Sequence, residues 1–524
     1  MFKYSLPVQG IWHLKYFLSI TLVLFLFIHG NIIPVVAAAS HAHQKGKFGA
    51  LHNWPIIPIA MMLIPDGRVL AYGTDTTGAQ IGNLLYVIWD PSLGIGSNAF
   101  ETLPNITSTD IYCAGQALIP DTGHGLFLGG ESKLNTIKNY AHNNVNIFDP
   151  ATNTLTHQSD SMAFKRWYST AVTLPNGEHV VLGGRDSRKF SGTKTIPSTE
   201  ATYSPTPEVR ATNGHWRSLS SAISDDAYGG LGGGGFAWFY PRAWVNPQGN
   251  LFILGHDGAM YKLRTPGTGT LSKYASTIAP SLTSLPSIMF APGRILSVRN
   301  NRTALIVNIT GSGEPVVSAG GTLAKDRQYS NATVLANGMV WINGGSSTGN
   351  DLVGAALDSE LWNPNTGIWK TTASAATPRL YHSTALLLPD GSVITGGGGT
   401  PGPLIQLNGE IYYPPYLFKA DGSGDFAPRP VIVDVPTTII SWNQQFSIEA
   451  TQNIFRVTLV RIGATTHAFN NETRFFNLPT PQKGSKLVTV RSPASANVAP
   501  PGFYMLFVWD IDGTPSVARI VQIG

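Results

Sequence analysis

The sequence predicts an all-β protein in which a seven-bladed kelch-type β-propeller precedes a small immunoglobulin-like β-sandwich. Three observations support this. The 524 residues include 56 glycines and 36 prolines but only 12% charged residues, a composition that disfavours helical bundles and disorder. A strand-turn-strand pattern that ends in glycines recurs between residues 60 and 397. After about residue 425 this pattern gives way to short alternating strands.

Residues 1–39 have the features of a secretory signal peptide. Lys3 and Lys15 give a positive start, residues 17–28 are apolar, and residues 34–40 end in small side chains, which favours cleavage near Ala39. An uncleaved membrane anchor is the alternative, but polar residues and a proline interrupt the apolar stretch. We therefore expect a secreted protein, extracellular or periplasmic, with no membrane contact after cleavage.

A repeated hairpin predicts that residues 40–425 form the propeller. In each copy two apolar runs flank a turn of the Pro-Asp-Gly type. Asp-Gly and Asn-Gly, which most copies contain, are strong hairpin signals between apolar runs because both turn residues need positive φ. The first three turns are 55 residues apart, near the kelch period of about 50 residues per four-stranded blade. Residues 295–308 resemble a degenerate seventh copy. The six clear copies cover residues 60–72, 116–130, 169–184, 243–255, 331–345 and 383–397.

Residues 426–524 are predicted to form the sandwich. This region has no glycine-pair repeat, and its apolar residues alternate with polar ones in short stretches, which is typical of a small sandwich. The predicted strands cover residues 438–442, 446–450, 457–462, 487–490, 504–510 and 517–523.

Cys113 is the single cysteine of the chain. Exported proteins usually pair their cysteines in disulfides, and a lone thiol is a liability in an oxidising compartment. The cysteine count alone leaves two interpretations open: a small buried core residue, or a sulfur that is used in chemistry.

Three predicted blades begin with unusual aromatic residues, histidine or cysteine. Because equivalent strand starts surround one end of a propeller channel, we expect the side chains at these starts to converge there. For any one of them, simple packing between blades is the alternative. The three openings are Tyr112-Cys113, Arg166-Trp167-Tyr168 and Arg379-Leu380-Tyr381-His382.

With these motifs the chain resembles the copper radical oxidases, the group of galactose oxidase and glyoxal oxidase. The resemblance covers residues 48–524 and rests on five matches in the family's order. They are Cys113 within Asp-Ile-Tyr-Cys-Ala-Gly, Arg166-Trp167-Tyr168, Arg379-Leu380-Tyr381-His382-Ser383, the interdomain residues 408–417, and Thr465-Thr466-His467 in a sandwich loop.

The resemblance implies one copper ion, bound by Tyr168, Tyr381, His382 and His467, and a thioether bond between Cys113 and Tyr168. Two imidazoles and two phenolates suit Cu(II). The oxidation of an alcohol or aldehyde, the family's reaction, removes two electrons, whereas copper changes its oxidation state by only one. The resemblance implies that the second oxidising equivalent is stored on the protein, as a radical on the sulfur-substituted tyrosine. The resemblance also implies that Tyr381 is the general base and that the Tyr168 radical abstracts hydrogen.

The sequence therefore predicts an exported copper-dependent oxidase that converts simple, glyoxal-type aldehydes into carboxylic acids and O2 into hydrogen peroxide. Trp167 beside Tyr168, and a first repeat that begins soon after the expected cleavage site, favour the glyoxal oxidase branch. Oxidation of primary alcohols, including sugar hydroxyls, is the first alternative, and a non-catalytic kelch binding protein is the second. We expect a monomer, and a net charge of +5 without a basic run disfavours nucleic acid as a partner.

Two further expectations concern the surroundings of the centre. Trp238, Phe239 and Tyr240 are candidates to shield the radical ring, with ordinary strand aromatics as the alternative. Arg242 is a candidate to bind a polar substrate, with a structural salt bridge as the alternative.

Overall fold

The structure is a computed structural model that describes residues 41–80, 85–134, 137–186, 190–191, 194–195, 203–230, 235–436 and 438–524. The predicted signal peptide, residues 1–39, lies outside these ranges. Within them, no helix is both long enough and apolar enough to cross a membrane.

The described residues form seven antiparallel sheets that follow one another along the chain, which we call blades 1 to 7. First strands pack side by side between blades 2 and 3, 3 and 4, 5 and 6, 6 and 7, and 7 and 1. The strand Ala464–Thr466 contacts the first strands of both blade 1 and blade 2, and blades 4 and 5 share an apolar core, so the sheets close into a ring. The predicted fold class is thus confirmed. The strands are Pro58–Leu63, Val69–Gly73, Leu85–Trp89 and Phe100–Pro104 in blade 1; Gly115–Leu118, Gly125–Leu128, Val145–Asp149 and Thr154–His157 in blade 2; Trp167–Thr173, His179–Arg185, Glu208–Arg210 and Trp216–Ser218 in blade 3; Arg242–Val245, Leu251–Leu254, Ala259–Arg264 and Thr270–Thr277 in blade 4; Ser287–Ala291, Arg294–Val298, Thr303–Asn308 and Val316–Thr322 in blade 5; Gln328–Val334, Val340–Ser346, Asp358–Trp362 and Trp369–Ser374 in blade 6; and Ser383–Leu387, Val393–Gly397 and Asn408–Tyr413 in blade 7.

Two short N-terminal strands complete blade 7. Lys47–Phe48 and His52–Asn53 both pair antiparallel with Asn408–Tyr413. The beginning of the described chain is thereby tied to the last blade, and the ring closes through backbone hydrogen bonds. The hairpin pattern did not predict these strands because they have only two residues each.

The C-terminal strands form two further sheets over a shared apolar core. One sheet contains Ile432–Asp434, Gln445–Ile454 and Ser485–Arg491, and the other contains Phe475–Leu478, Arg456–Arg461, Gly502–Trp509 and Arg519–Ile523. The prediction of a strand at 438–442 was wrong: in the described part of this segment only Ile440 makes an isolated bridge, with Ile523.

One strand of the C-terminal region belongs to the propeller. Ala464–Thr466 pairs antiparallel with Pro58–Leu63, so it extends blade 1 at its inner edge. The chain then continues directly into His467. The propeller and the sandwich are therefore joined by a β-ladder at the position where the predicted distal histidine lies.

The remaining elements are short. They are the α-helices Ala42–Lys45 and Asp225–Tyr228, the 3-10 helices Pro91–Leu93, Ser97–Ala99 and Pro415–Leu417, and the hairpins Glu131–Leu134 with Ile137–Ala141 and Phe190–Ser191 with Lys194–Thr195.

Glycine pairs follow the second strand where the chain of the next blade comes close. Gly129 and Gly130 have φ of 71° and 137°, in the region that favours glycine. A Cβ at Gly129 would lie 2.1 Å from the Arg166 carbonyl oxygen, and the Gly130 amide donates to that oxygen. The glycines of the repeat are therefore required by the contact between neighbouring blades.

Blades 3, 6 and 7 share a buried ion pair between the segment that enters the first strand and the third strand. In blade 3, Arg166 donates to Glu208 at 2.8 Å, and both side chains are at most 1% exposed. Arg166 also donates to the Gly183 carbonyl at the end of the second strand. Each pair thus joins the ends of three strands, and its guanidinium and carboxylate charges neutralise each other. The equivalent pairs are Arg327 with Glu360 and Arg379 with Glu410.

We predict that Glu208→Gln destabilises the fold by about 3 kcal/mol, because it leaves the Arg166 guanidinium buried without its counter-charge. Equilibrium denaturant titration measures this as a lower unfolding midpoint. Asp66→Asn, which removes the exposed partner of Arg68, is the matched control and is expected to cost less than about 1 kcal/mol. Equal midpoints for the two variants would contradict the prediction.

Candidate metal centre

The five side chains of the predicted site lie together at one end of the propeller. The Tyr168 and Tyr381 hydroxyl oxygens are 3.0 Å apart, and Cys113 Sγ lies 3.7 Å from His467 Nε2. One potential ligand atom each from Cys113, His382 and His467 falls within 4.8 Å of the others. Residues separated by up to 354 positions in sequence are thus brought into one cluster.

Backbone hydrogen bonds between blades place these residues. The Tyr168 amide donates to the Cys113 carbonyl at 3.0 Å, and the Tyr240 amide donates to the Tyr168 carbonyl at 2.9 Å, which links the entries of blades 2, 3 and 4. Cys113, Tyr168, His382 and His467 have φ of 56°, 66°, 67° and 50°. This left-handed backbone conformation is unfavourable for residues other than glycine, and it persists where the surrounding structure imposes it.

Both histidines are held so that Nε2 faces the cluster. His382 Nδ1 donates to the Gly399 carbonyl at 2.8 Å. Thr466 donates its hydroxyl hydrogen to the Ile59 carbonyl, so its oxygen accepts from His467 Nδ1 at 2.6 Å. Each ring therefore carries its proton on Nδ1 and presents an Nε2 lone pair, the arrangement found around metal-bound histidines.

Burial keeps the imidazoles neutral and the phenols protonated in the protein alone. It lowers the pKa of His382 to about 4, and burial together with the neighbouring His382 lowers the pKa of His467 well below its usual value. Burial also raises the pKa of the Tyr168 and Tyr381 phenols. Neutral imidazoles are ready to bind a metal, whereas the phenols need a nearby cation to ionise at neutral pH.

Burial likewise raises the pKa of the Cys113 thiol, although the Tyr168 phenol close to it acts in the opposite direction. The thiol is buried and belongs to the same apolar cluster as the Tyr168 ring. A neutral thiol packed against a phenol ring is compatible with the proposed bond between them, and it is a poor metal ligand until it is deprotonated.

Four aromatic rings surround Tyr168. The centroid distances are 4.2 Å to Trp167, 4.7 Å to Phe239, 5.3 Å to Tyr240 and 6.0 Å to Trp238. The three shielding candidates therefore lie against the Tyr168 ring, and Trp167 contributes a further ring. Together they exclude water from all but a small part of Tyr168.

Arg242 is buried beside this cluster. Its guanidinium carbon lies 4.2 Å from the centroid of Phe469, and it donates to the Thr283 carbonyl at 3.1 Å. Two of its other nitrogens have no hydrogen-bond partner in the described chain, and burial together with Arg299 lowers its pKa to about 9. In this part of the structure Arg242 thus stacks on an aromatic ring and forms no salt bridge.

Tyr329 is a site residue that the sequence analysis missed. Its ring centroid lies 5.2 Å from that of Tyr381, and its φ of 64° matches that of Tyr168. A signal for it exists, because Arg327-Gln328-Tyr329-Ser330 repeats the Arg-x-Tyr-Ser spacing of residues 166–169. The first strand of blade 6 therefore adds a further phenol next to Tyr381.

Comparisons with known proteins show which oxidases this chain is similar to. A family model described as "Galactose oxidase-like, Early set domain" matches residues 429–523. Galactose oxidase of Gibberella zeae is 27% identical over 526 aligned residues, which span 94% of this chain and 73% of that protein. Aldehyde oxidase GLOX1 of Arabidopsis thaliana is 26% identical over 498 residues, which span 83% of this chain and 75% of that protein. A solved fungal alcohol oxidase of the AA5 family, in complex with copper, has a TM-score of 0.77 and 25% identity, covering 91% of this chain and 99% of that one. These similarities to a galactose oxidase, an aldehyde oxidase and a copper-bound alcohol oxidase support the copper radical oxidase family for this chain.

The residues present fit the copper ion expected of a copper radical oxidase. His382 Nε2 is buried and has no hydrogen-bond partner among the described residues, although buried nitrogens are normally satisfied. Two imidazole nitrogens and two phenol oxygens form a donor set that suits Cu(II). The orphaned nitrogen and the chemistry of the donors are both accounted for by a metal ion in this cluster.

We predict that His382→Ala weakens copper binding by about 100-fold or more, because it removes a preoriented ligand. Titration of metal-free protein with copper, followed by measurement of bound metal after desalting, tests this. His179→Ala is the matched control, since His179 is also buried and neutral, with its pKa lowered to about 4, but donates to the Leu118 carbonyl. Unchanged affinity in the His382 variant would exclude this residue as a ligand.

Proposed function

We propose that this protein is an exported oxidase that converts simple aldehydes into carboxylic acids and reduces O2 to hydrogen peroxide. The observation that carries the proposal is the convergence of Cys113, Tyr168, Tyr381, His382 and His467 in one buried cluster. An aldehyde hydrate loses two protons and two electrons to become the acid, and O2 takes up both protons and both electrons to become hydrogen peroxide, so the reaction balances.

Tyr168, Tyr381, His382 and His467 would hold the copper ion. When bound, copper supplies a one-electron redox centre and the positive charge that favours ionised phenols. The ionised Tyr381 oxygen would accept the hydroxyl proton of the substrate as a general base. The Nδ1 hydrogen bonds of the two histidines would hold both rings in position throughout turnover.

Tyr168 would store the second oxidising equivalent and take a hydrogen atom from the substrate carbon. A thioether bond from Cys113 Sγ to the phenol ring would make that ring easier to oxidise. The four aromatic rings around Tyr168 exclude water, which protects a radical from side reactions. The stored equivalent would therefore lie on a ring that is largely shielded from water.

The exposure of the cluster indicates the side from which a substrate would approach. Tyr381 is partly exposed, whereas Cys113, Tyr168, His382 and His467 are at most 6% exposed. A substrate would therefore approach on the Tyr381 side. The similar proteins named aldehyde oxidase, from Arabidopsis thaliana and Vitis pseudoreticulata, also support an aldehyde.

Oxidation of primary alcohols is the second candidate. The similar protein of Gibberella zeae is named galactose oxidase, and the copper-bound structural neighbour is an alcohol oxidase. An aldehyde hydrate and a primary alcohol present the same O–H and C–H bonds to a base and a radical. The same five residues therefore serve both reactions, and the surrounding loops decide between them.

A peroxide-coupled assay of copper-loaded mature protein, with a panel of small aldehydes, primary alcohols and galactose, tests the proposal. We expect kcat/KM to be higher for the aldehydes than for the alcohols and galactose. Faster turnover of alcohols or galactose would support the second candidate. No turnover of any substrate, in protein that lacks the link between Cys113 and Tyr168, would contradict both and favour a binding protein.

We predict that Cys113→Ser retains copper but lowers kcat by about 1,000-fold or more, because the residual catalysis lacks the stored oxidising equivalent. Mass spectrometry should show that the wild-type chain lacks two hydrogens relative to its sequence and that the variant does not. Full activity in the variant would overturn the radical mechanism. Loss of copper would instead make Cys113 a metal ligand, in line with its 3.7 Å distance from His467 Nε2.

A further inference from the structure

Arg185 lies between two of the indole rings near Tyr168. Its guanidinium carbon is 4.8 Å from the centroid of Trp167 and 4.4 Å from that of Trp238. Arg185 ends the second strand of blade 3, where it is the cross-strand partner of Trp167, and it is 8% exposed. A buried positive charge is thus fixed against two rings that pack on the proposed radical residue.

The same rings form a line that leads outward from Tyr168. Trp238 lies 6.0 Å from Tyr168 and 5.8 Å from Tyr203, measured between ring centroids. Trp238 is buried, whereas Tyr203 is partly exposed. Tyrosine and tryptophan rings at these separations are close enough to exchange electrons.

Such a line offers a route by which the radical is lost. An electron that passes from Trp238 to the Tyr168 radical returns Tyr168 to its phenolate and leaves an indole radical cation. Tyr203 then supplies an electron to Trp238 and releases its phenolic proton to water. The oxidising equivalent would thereby reach the surface without oxidising substrate.

We propose that Arg185 is a positioning residue that retains the oxidising equivalent on Tyr168 by making Trp167 and Trp238 harder to oxidise. A cation over the face of an indole stabilises the neutral ring and repels the radical cation, and the effect is larger in a site without water. The guanidinium contacts both indoles directly, so its charge acts more strongly on them than on Tyr168. This inference rests on the proposed radical chemistry.

The test compares the lifetime of the radical in the absence of substrate. Copper-loaded protein is oxidised with a one-electron oxidant, desalted, and followed by visible absorption, and metal-free oxidised protein is followed by electron paramagnetic resonance. We expect Arg185→Met, which keeps the length of the side chain but removes its charge, to shorten the lifetime about tenfold. Arg185→Lys, which keeps the charge, should retain most of the wild-type lifetime.

A double variant identifies the route. Adding Trp238→Phe to Arg185→Met replaces the indole by a ring that is harder to oxidise, so the lifetime should return towards that of the wild type. Arg456→Met is the matched control, because Arg456 also lies over two rings, Phe475 and Trp509, but in the sandwich, and it should leave the lifetime unchanged.

A wild-type lifetime in Arg185→Met would overturn the inference, and so would an equally short lifetime in Arg185→Lys, since that result would indicate packing rather than charge. Arg185→Gln serves the same comparison if the methionine variant does not fold. A wild-type protein that forms no radical would overturn the proposed function and this inference with it. A normal wild-type radical with no effect of Arg185 would overturn this inference alone.

Discussion

The backbone hydrogen bonds between the entries of neighbouring blades determine the site. The Tyr168 amide donates to the Cys113 carbonyl, and the Tyr240 amide donates to the Tyr168 carbonyl. These bonds join blades 2, 3 and 4 at the point where the chain enters each blade. The sulfur of blade 2, the phenol of blade 3 and the aromatic residues that enter blade 4 are then in contact without any loop having to reach across the channel. The ladder between Ala464–Thr466 and Pro58–Leu63 does the same for His467.

This placement has a conformational cost. Cys113, Tyr168, His382 and His467 all have positive φ, and each such residue costs about 1 to 3 kcal/mol. The strain persists because the surrounding structure leaves no alternative. In blades 3 and 7 a buried Arg-Glu pair immediately precedes the strained residues and fixes the incoming chain to the third strand. The stability of these blades and the geometry of the site are therefore supported by the same residues.

Local signals in the sequence predicted most of the fold, and non-local pairing explains what they missed. All six clear hairpins coincide with the first and second strands of blades 1, 2, 3, 4, 6 and 7. The degenerate copy at 295–308 coincides with the second and third strands of blade 5. The strands Lys47–Phe48 and Ala464–Thr466 exist because of partners more than 300 residues away, so no local pattern indicates them. Tyr329 was predictable from its Arg-x-Tyr-Ser spacing, whereas Arg185 was not, because its role depends on the ring that faces it across the strand pair.

In the proposed mechanism, the residue that would meet the substrate is separate from the one that would store the oxidising equivalent. Tyr381 and Tyr168 touch through their hydroxyl oxygens, yet Tyr381 is partly exposed while Tyr168 is enclosed by four rings. Burial raises the pKa of both phenols, so neither ionises at neutral pH without a bound cation. In the proposed mechanism the basicity of Tyr381 would therefore depend on the binding of metal by two imidazoles that burial keeps neutral, and the same binding would make Tyr168 easier to oxidise. Tyr381 would thus act as a base only when the metal is in place, which would tie turnover to metal binding.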